Sequence, residues 1–246
     1  MNAPRATAVE GEWLGRKVEF FRDRGGSWVA LAGIDVQAPE GPSTLHLRIR
    51  QPEGWTEVDA PVEIHAAHYR TGTLTVAPKF VEPSPAQVRE IEAEIKLKQE
   101  VFAHSSPEPL WRGDFRSPVR TAATDSFGTR RMFNGKLASI HKGADFHAAI
   151  GTPVRASNSG VVVLARKLYF EGNCVIIDHG LGLYTESMHF SRISVHEGEQ
   201  VHTGQLLGFS GATGRVTGPH LHWAVRWQGA YLDPVKLLKL NLAGLP

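Results

Sequence analysis

Glycine and proline cut this chain into short segments almost from end to end, with 25 and 15 of them in 246 residues. Such punctuation leaves room for strands and turns but for few long helices. In the first third, strand candidates cover 16–21, 27–34, 44–50, 62–65 and 71–76. Gly25-Gly26, Pro39-Glu40-Gly41-Pro42 and Pro52-Glu53-Gly54 separate several of them. Leu45, Leu47 and Ile49 alternate with His46, Arg48 and Arg50, the two-residue period of a strand with one buried face. Short strands at this spacing predict a β-sandwich-like domain over residues 1–83.

One segment escapes the punctuation. Ser84 suits a helix N-cap, Pro85 the first helical position, and Gln87 completes a capping box. Val88, Ile91, Ile95 and Phe102 then recur at helical spacing, and the Glu and Lys residues on the other faces are expected in solvent. Ser105-Ser106-Pro107-Glu108-Pro109 ends the helix, so residues 84–110 read as helix and linker. Beyond residue 112 the β pattern resumes at 161–165, 174–178, 183–188, 204–209 and 221–227. The predicted fold is mainly β: an N-terminal β-sandwich-like domain, a connecting helix, and a C-terminal antiparallel β domain over 111–246.

Charge excludes two classes of function. Lys and Arg total 27 against 25 Asp and Glu, a net charge of +2. That balance supplies neither the footprint of a nucleic-acid binder nor a polybasic membrane patch, so no nucleic-acid partner is expected. No apolar run approaches the ~18 residues of a membrane helix, and no transmembrane segment is expected. The opening residues lack the apolar stretch of a secretory signal. Cys174, the one cysteine, sits in the strand-like Asn173-Cys174-Val175-Ile176-Ile177, where a buried core thiol is expected rather than a nucleophile.

Of twelve histidines, eight fall between His141 and His222. Residues two apart on a strand share a face, so His220 and His222 are expected to project together. His141 and Asp145, four apart, share a face of a helix or a strand, and Gly143 between them argues against the helix. Two imidazoles and one carboxylate are a common catalytic zinc set, with the fourth position open to water or substrate. Each pair alone reads as readily as an ordinary polar pair. Both pairs together, with His189 in Glu186-Ser187-Met188-His189-Phe190-Ser191, point to a metal.

The stretch from about residue 126 to 238 resembles the catalytic domain of the lysostaphin/LytM-type peptidoglycan metallopeptidases. His141-Lys142-Gly143-Ala144-Asp145 matches the family's His-x-x-x-Asp motif, and His220-Leu221-His222 its His-x-His motif. Phe127-Gly128, Gly151-Thr152-Pro153-Val154, Gly160, Asp178-His179-Gly180, Gly198, Gly204-Gln205 and Asp233-Pro234 add to the match. The resemblance implies a zinc endopeptidase that hydrolyses peptide bonds in peptidoglycan stems or cross-bridges. It implies that His141, Asp145 and His222 hold one zinc ion in a cleft, with His189 and His220 as non-ligand histidines beside it. The family usually has Tyr-x-His-Leu around the isolated histidine, where this chain has Ser187-Met188-His189-Phe190. Zinc lowers the pKa of a bound water towards ~7 and polarises the scissile carbonyl. With no His-Glu-x-x-His helix in the chain, His189 and His220 are the candidates for general base and for donor to the oxyanion or leaving amine, in either order.

His147, His179, His196 and His202 are expected at the surface or around the ligands. His179, beside Asp178, is the first choice for a residue that orients a ligand. Residues 211–214 read as an active-site loop. Residues 195–208 also resemble the β-hammerhead segment of biotinyl and lipoyl carriers, but no lysine stands at a tight hairpin there. The competing reading is a zinc-bound, non-catalytic module that binds cell wall or regulates another hydrolase; the intact ligand motif weighs against it. Residues 31–35 and 79–85 look like the β-sandwich region preceding the peptidase domain in some bacterial relatives. That first domain is expected to position substrate or shield the groove, and it leaves room for a protein partner; a monomer is expected. The resemblance implies the cell envelope, periplasmic or extracellular; with no export signal in the chain, either an upstream signal has been removed, or export takes another route, or the substrate is not peptidoglycan, and a mature fragment is expected.

Overall fold

The alternation in Leu45, Leu47 and Ile49 plays out in the strand Gly41–Gln51, which buries Leu47 and Ile49 and turns His46, Arg48 and Arg50 outward. The computed structural model describes residues 3–23, 25–124 and 126–242. In its N-terminal part, five antiparallel strands run in the order Trp28–Ala30, Arg16–Arg22, Ala8–Trp13, Gly41–Gln51, Gly54–Ile64. Two small apolar clusters hold this sheet, one around Val9, Trp28 and Ile49, the other around Trp13, Val18 and Ile64. Gly54–Ile64 starts well before the expected 62–65. Its first half carries no apolar alternation, and what makes it a strand is unbroken pairing with Gly41–Gln51. Pairing across a tight turn outweighs side-chain pattern here.

Thr71–Leu74 belongs to neither neighbour in the chain. It pairs in parallel with Arg130–Phe133, which pairs antiparallel with Lys136–Ile140. Asn134 fastens this sheet: its Oδ1 accepts from the Val76 N–H at 3.0 Å and its amide donates to Val76 O at 3.1 Å.

The helix Pro85–Ala103 starts as expected, with Ser84 and Gln87 exchanging both bonds of a capping box. The face it buries is rotated from the expected one. Val88 and Ile95 are 38% and 53% exposed, while Leu97, Val101 and Phe102 pack inward. Two charged residues turn inward with them, which corrects the expectation that the Glu and Lys faces are solvated. The Glu94 carboxylate accepts the Tyr169 N–H at 2.8 Å, and Lys98 Nζ lies 2.9 Å from both Glu171 Oε1 and Glu186 Oε2. The reason is the surface below, where the strand Leu183–Ile193 presents the fully buried Glu186 and Lys98 from the helix supplies its counter-charge.

The C-terminal sheet runs Pro153–Arg155, Leu206–Ser210, Leu183–Ile193, Gly172–Asp178, Gly160–Leu168, Gln200–Val201. Leu221–Trp227 branches off Leu183–Ile193 and brings in Ala230–Leu232 and Gly143–Phe146. Its central strands are buried on both faces. Val175 and Ile177 join the main core with Phe146 and Trp223; Cys174 and Ile176 face the other way, under the helix. Cys174 is fully buried, as expected. Along Leu183–Ile193 the parity breaks: Tyr184 and Met188 face the helix side, yet Phe190 faces the main core. Between Val175↔Ser187 and Asn173↔Phe190 this strand carries one residue more than its partner Gly172–Asp178. His189 sits at that slip.

Candidate active site

Gly143–Phe146 and Leu221–Trp227 lie antiparallel with Asp145 directly opposite His222. The pairing leaves no room for a side chain at Gly143: a Cβ there would lie 2.6 Å from His222 Nε2 and from the Trp223 carbonyl oxygen. His141, just before the first of these strands, completes the cluster. Its Nε2 is 2.8 Å from His222 Nδ1 and 3.1 Å from Asp145 Oδ1, and His222 Nδ1 is 3.0 Å from the same oxygen. These three side chains each offer one ligand atom to a common point. His141 donates its Nδ1–H to the Ser126 carbonyl at 2.8 Å, so its Nε2 presents a lone pair to the cluster. Arg131 donates to Asp145 Oδ2 at 2.7 Å, leaving Oδ1 for the imidazoles.

Burial pushes His141 down to about 4, against the pull of Asp145, so the ring is neutral near pH 7. Burial opposes charge on Asp145 as well, but hydrogen bonds from His141 and His222 outweigh it and hold the carboxyl well below the usual range. Acceptor atoms crowded this closely repel one another unless a proton or a cation sits among them. Two imidazoles and one carboxylate fit a divalent ion of the zinc type.

His189 and His220 stand alongside. Their ring centroids are 4.9 Å apart, and His189 is 6.1 Å from His222. His189 has φ 67°, left-handed backbone that a non-glycine residue adopts only under constraint. The strand slip at this residue turns its ring towards the cluster. Its Nδ1–H donates to Thr213 O at 2.8 Å, which leaves Nε2 open. Thr213 reaches that position because Gly214, at φ 77°, lies so close to Gly172 that a Cβ would sit 2.3 Å from its nitrogen. Residues 211–214 thus form part of the site, as the glycine-rich run suggests. His220 donates Nδ1–H to Gly218 O at 2.8 Å, and its Nε2 is 3.7 Å from Asp145 Oδ1. Burial, with His222 and His220 nearby, pushes His189 down to about 3.

His179 does not orient a ligand. It is fully buried, bonded through Nδ1 to Ser159 O and through Nε2 to Thr185 Oγ1, and it packs edge-on to Phe115. The backbone carbonyl of Ser126 holds His141 instead. His147, His196 and His202 are exposed.

Two cavities flank the cluster, of about 320 and 290 Å³. The first is lined by Lys98, Lys142, Phe170, Glu171, His189 and Tyr231, among others. The second is lined by Leu74, Val76, Phe133, Asp145, Thr217 and His220, among others, so the small sheet containing Thr71–Leu74 walls it. Arg131 and Arg215 line both. None of Lys98, Arg131, Arg215 and Tyr231 is singled out by motif spacing. Lys98 stood among Glu and Lys residues that sequence places in solvent, so it had no signal either. Arg215 lies within the loop 211–217; Arg131 and Tyr231 had no signal.

Residues 139–234 match the profile of Peptidase family M23. The chain is 41% identical over 138 residues to the Peptidoglycan DD-endopeptidase ShyA of Vibrio cholerae, a match covering 55% of this chain and 31% of that protein. It is 44% identical over 119 residues to the DD-carboxypeptidase/endopeptidase Mpg of Neisseria meningitidis, covering 48% of this chain and 27% of that protein. The chain thus spans under a third of the length of these curated relatives. Among solved structures, a Pseudomonas aeruginosa protein placed in the same peptidase family superposes with a TM-score of 0.73 at 29% identity, covering 95% of this chain and 89% of that one.

Proposed function

We propose that this chain, whose residues 139–234 belong to peptidase family M23, is a zinc-dependent endopeptidase acting on peptide bonds in the stems or cross-bridges of peptidoglycan. The observation that carries the reading is the convergence of His141 Nε2, Asp145 Oδ1 and His222 Nδ1 within 2.8–3.1 Å, with two more imidazoles alongside. The relatives named DD-endopeptidases support the substrate class, and DD-endopeptidase is the activity we assign.

His141, Asp145 and His222 would hold one zinc ion, which when bound supplies a Lewis acid that acidifies water and polarises a carbonyl. The proton work falls to His189 and His220. Each gives its Nδ1–H to a backbone carbonyl and turns Nε2 away from that bond, towards the cleft. Between them they take the proton of the attacking water and return one to the leaving amine. The cavities on either side of the cluster give an extended peptide room to cross it in both directions.

We assign residues 111–246 the chemistry, with residues 84–110 bracing them. The N-terminal part positions substrate or shields the groove, since Leu74 and Val76 wall one cavity. The five site residues need no second copy of the chain to complete the cluster, and we assign a monomer. Its place is the cell envelope outside the cytoplasmic membrane, where peptidoglycan lies.

The test is hydrolysis of a synthetic cross-linked stem-peptide dimer by the full chain after chelation and after stepwise return of zinc. Activity that returns and saturates at one equivalent supports the reading. Full activity in protein shown by elemental analysis to hold no metal overturns it.

A further inference from the structure

Two arginines line both cavities beside the cluster, and they are held differently. Arg131 is committed, donating to Asp145 at 2.7 Å. Arg215 is not: among the described residues no carboxylate oxygen lies within 4.0 Å of its guanidinium nitrogens. The acid whose field reaches it, Glu171, is bound to Lys98 at 2.9 Å.

Arg215 is nonetheless fixed in place. Its guanidinium carbon lies 4.4 Å from the ring centroids of both Phe133 and Phe170. Its backbone N–H donates to Phe170 O at 2.8 Å. Phe133 ends the strand Arg130–Phe133 and Phe170 lies in the turn after Gly160–Leu168, so two distant parts of the chain clamp one cation. Stacking on rings occupies the faces of the guanidinium and leaves its in-plane N–H donors free. The other cations of the first cavity are engaged, Lys98 with Glu171 and Glu186, and Lys142 over the Tyr231 ring at 4.8 Å. A pre-positioned planar fork without an acid of its own fits a carboxylate bound through two parallel hydrogen bonds.

We propose that Arg215 is a specificity-determining residue of the groove and receives a free carboxylate of the peptide substrate beside the bond that is cut. This rests on the endopeptidase reading for the identity of the substrate, but binding can be tested apart from turnover.

The probes are the synthetic cross-linked stem-peptide dimer with its carboxylates free and the same dimer with them amidated. On the full zinc-loaded chain, the acid is expected to exceed the amide in kcat/KM by about tenfold or more, mainly through KM. Arg215→Gln should remove that preference by weakening the acid alone, and Arg215→Lys, a charge without the fork, should restore part of it. Calorimetric titration of the metal-stripped full chain with both dimers reads the same preference without turnover. Binding that favours the acid and loses the preference in R215Q, with neither dimer cleaved by the zinc-loaded chain, would keep this proposal while rejecting the endopeptidase reading. Equal losses on acid and amide in R215Q, or a loss confined to kcat, would overturn it, since Arg215 would then only brace the two rings or act in the reaction step. A parent chain that does not distinguish acid from amide would overturn it as well.

Discussion

Asp145 and His222 face each other across two antiparallel strands, and that single register brings Asp145 Oδ1 to 3.0 Å from His222 Nδ1. The pairing depends on Gly143, whose missing side chain leaves space for the His222 ring. Gly143→Ala is therefore expected to displace that ring, weaken zinc binding by at least tenfold and cost about 1–3 kcal/mol of stability. Competition with a chelator of known affinity, together with urea unfolding, checks both. Parent-like zinc affinity would mean that the ring is not confined as described.

The five clustered side chains divide into two groups by what their loss should do. His222→Ala is expected to lose both zinc and turnover. His189→Ala and His220→Ala are expected to keep one zinc per chain while losing about 10²–10⁴-fold in kcat. Elemental analysis paired with peptide hydrolysis separates the groups. Normal turnover in His189→Ala would remove that residue from the mechanism.

Much of this architecture could be read from residue order. Leu45, Leu47 and Ile49 declare a half-buried strand, and Ser84 with Gln87 declares where the helix begins, because both signals are local. His141, Asp145, His220 and His222 stand out because two-residue and four-residue spacings put side chains on one face of a strand. What stayed hidden depends on contacts distant in sequence. Lys98 turns inward only because Glu186, on a strand formed far along the chain, is buried beneath it. Arg131 reaches Asp145 across a sheet assembled from Thr71–Leu74, Arg130–Phe133 and Lys136–Ile140, whose members lie up to some seventy residues apart. The left-handed backbone at His189 follows from a register slip between two strands, and no feature of Met188-His189-Phe190 announces it.

The Lys98 contact ties the helix to the C-terminal sheet. Lys98→Met leaves the Glu186 carboxylate buried without its cation and is expected to cost about 3–5 kcal/mol. Adding Glu186→Gln should recover a large share of the loss. Urea unfolding of the single and double variants reads this directly. A single variant as stable as the parent would show that Glu186 is satisfied without the helix.

His179 gives the fold a dependence on pH. Burial pushes it from 6.5 down to about 4. Between those values the unfolded chain binds a proton that the folded chain does not. Stability is therefore complete above pH 6.5 and falls as the pH drops towards 4, by about 3 kcal/mol for this residue. Unfolding of the metal-stripped protein across that range should show the decline, with a shallower slope in His179→Gln. Identical slopes in the two proteins would contradict the assignment.

The central claim is that the cluster at His141, Asp145 and His222 cuts peptidoglycan peptides. Mass spectrometry of purified sacculi incubated with the zinc-loaded full chain tests it most directly, with His222→Ala as the control. The expected result is a set of new amine and carboxyl termini within the peptides, absent from the control, which would also name the bond. Intact peptides in both digests, with zinc bound to the parent chain, would contradict the claim and leave a zinc-holding module without hydrolytic activity.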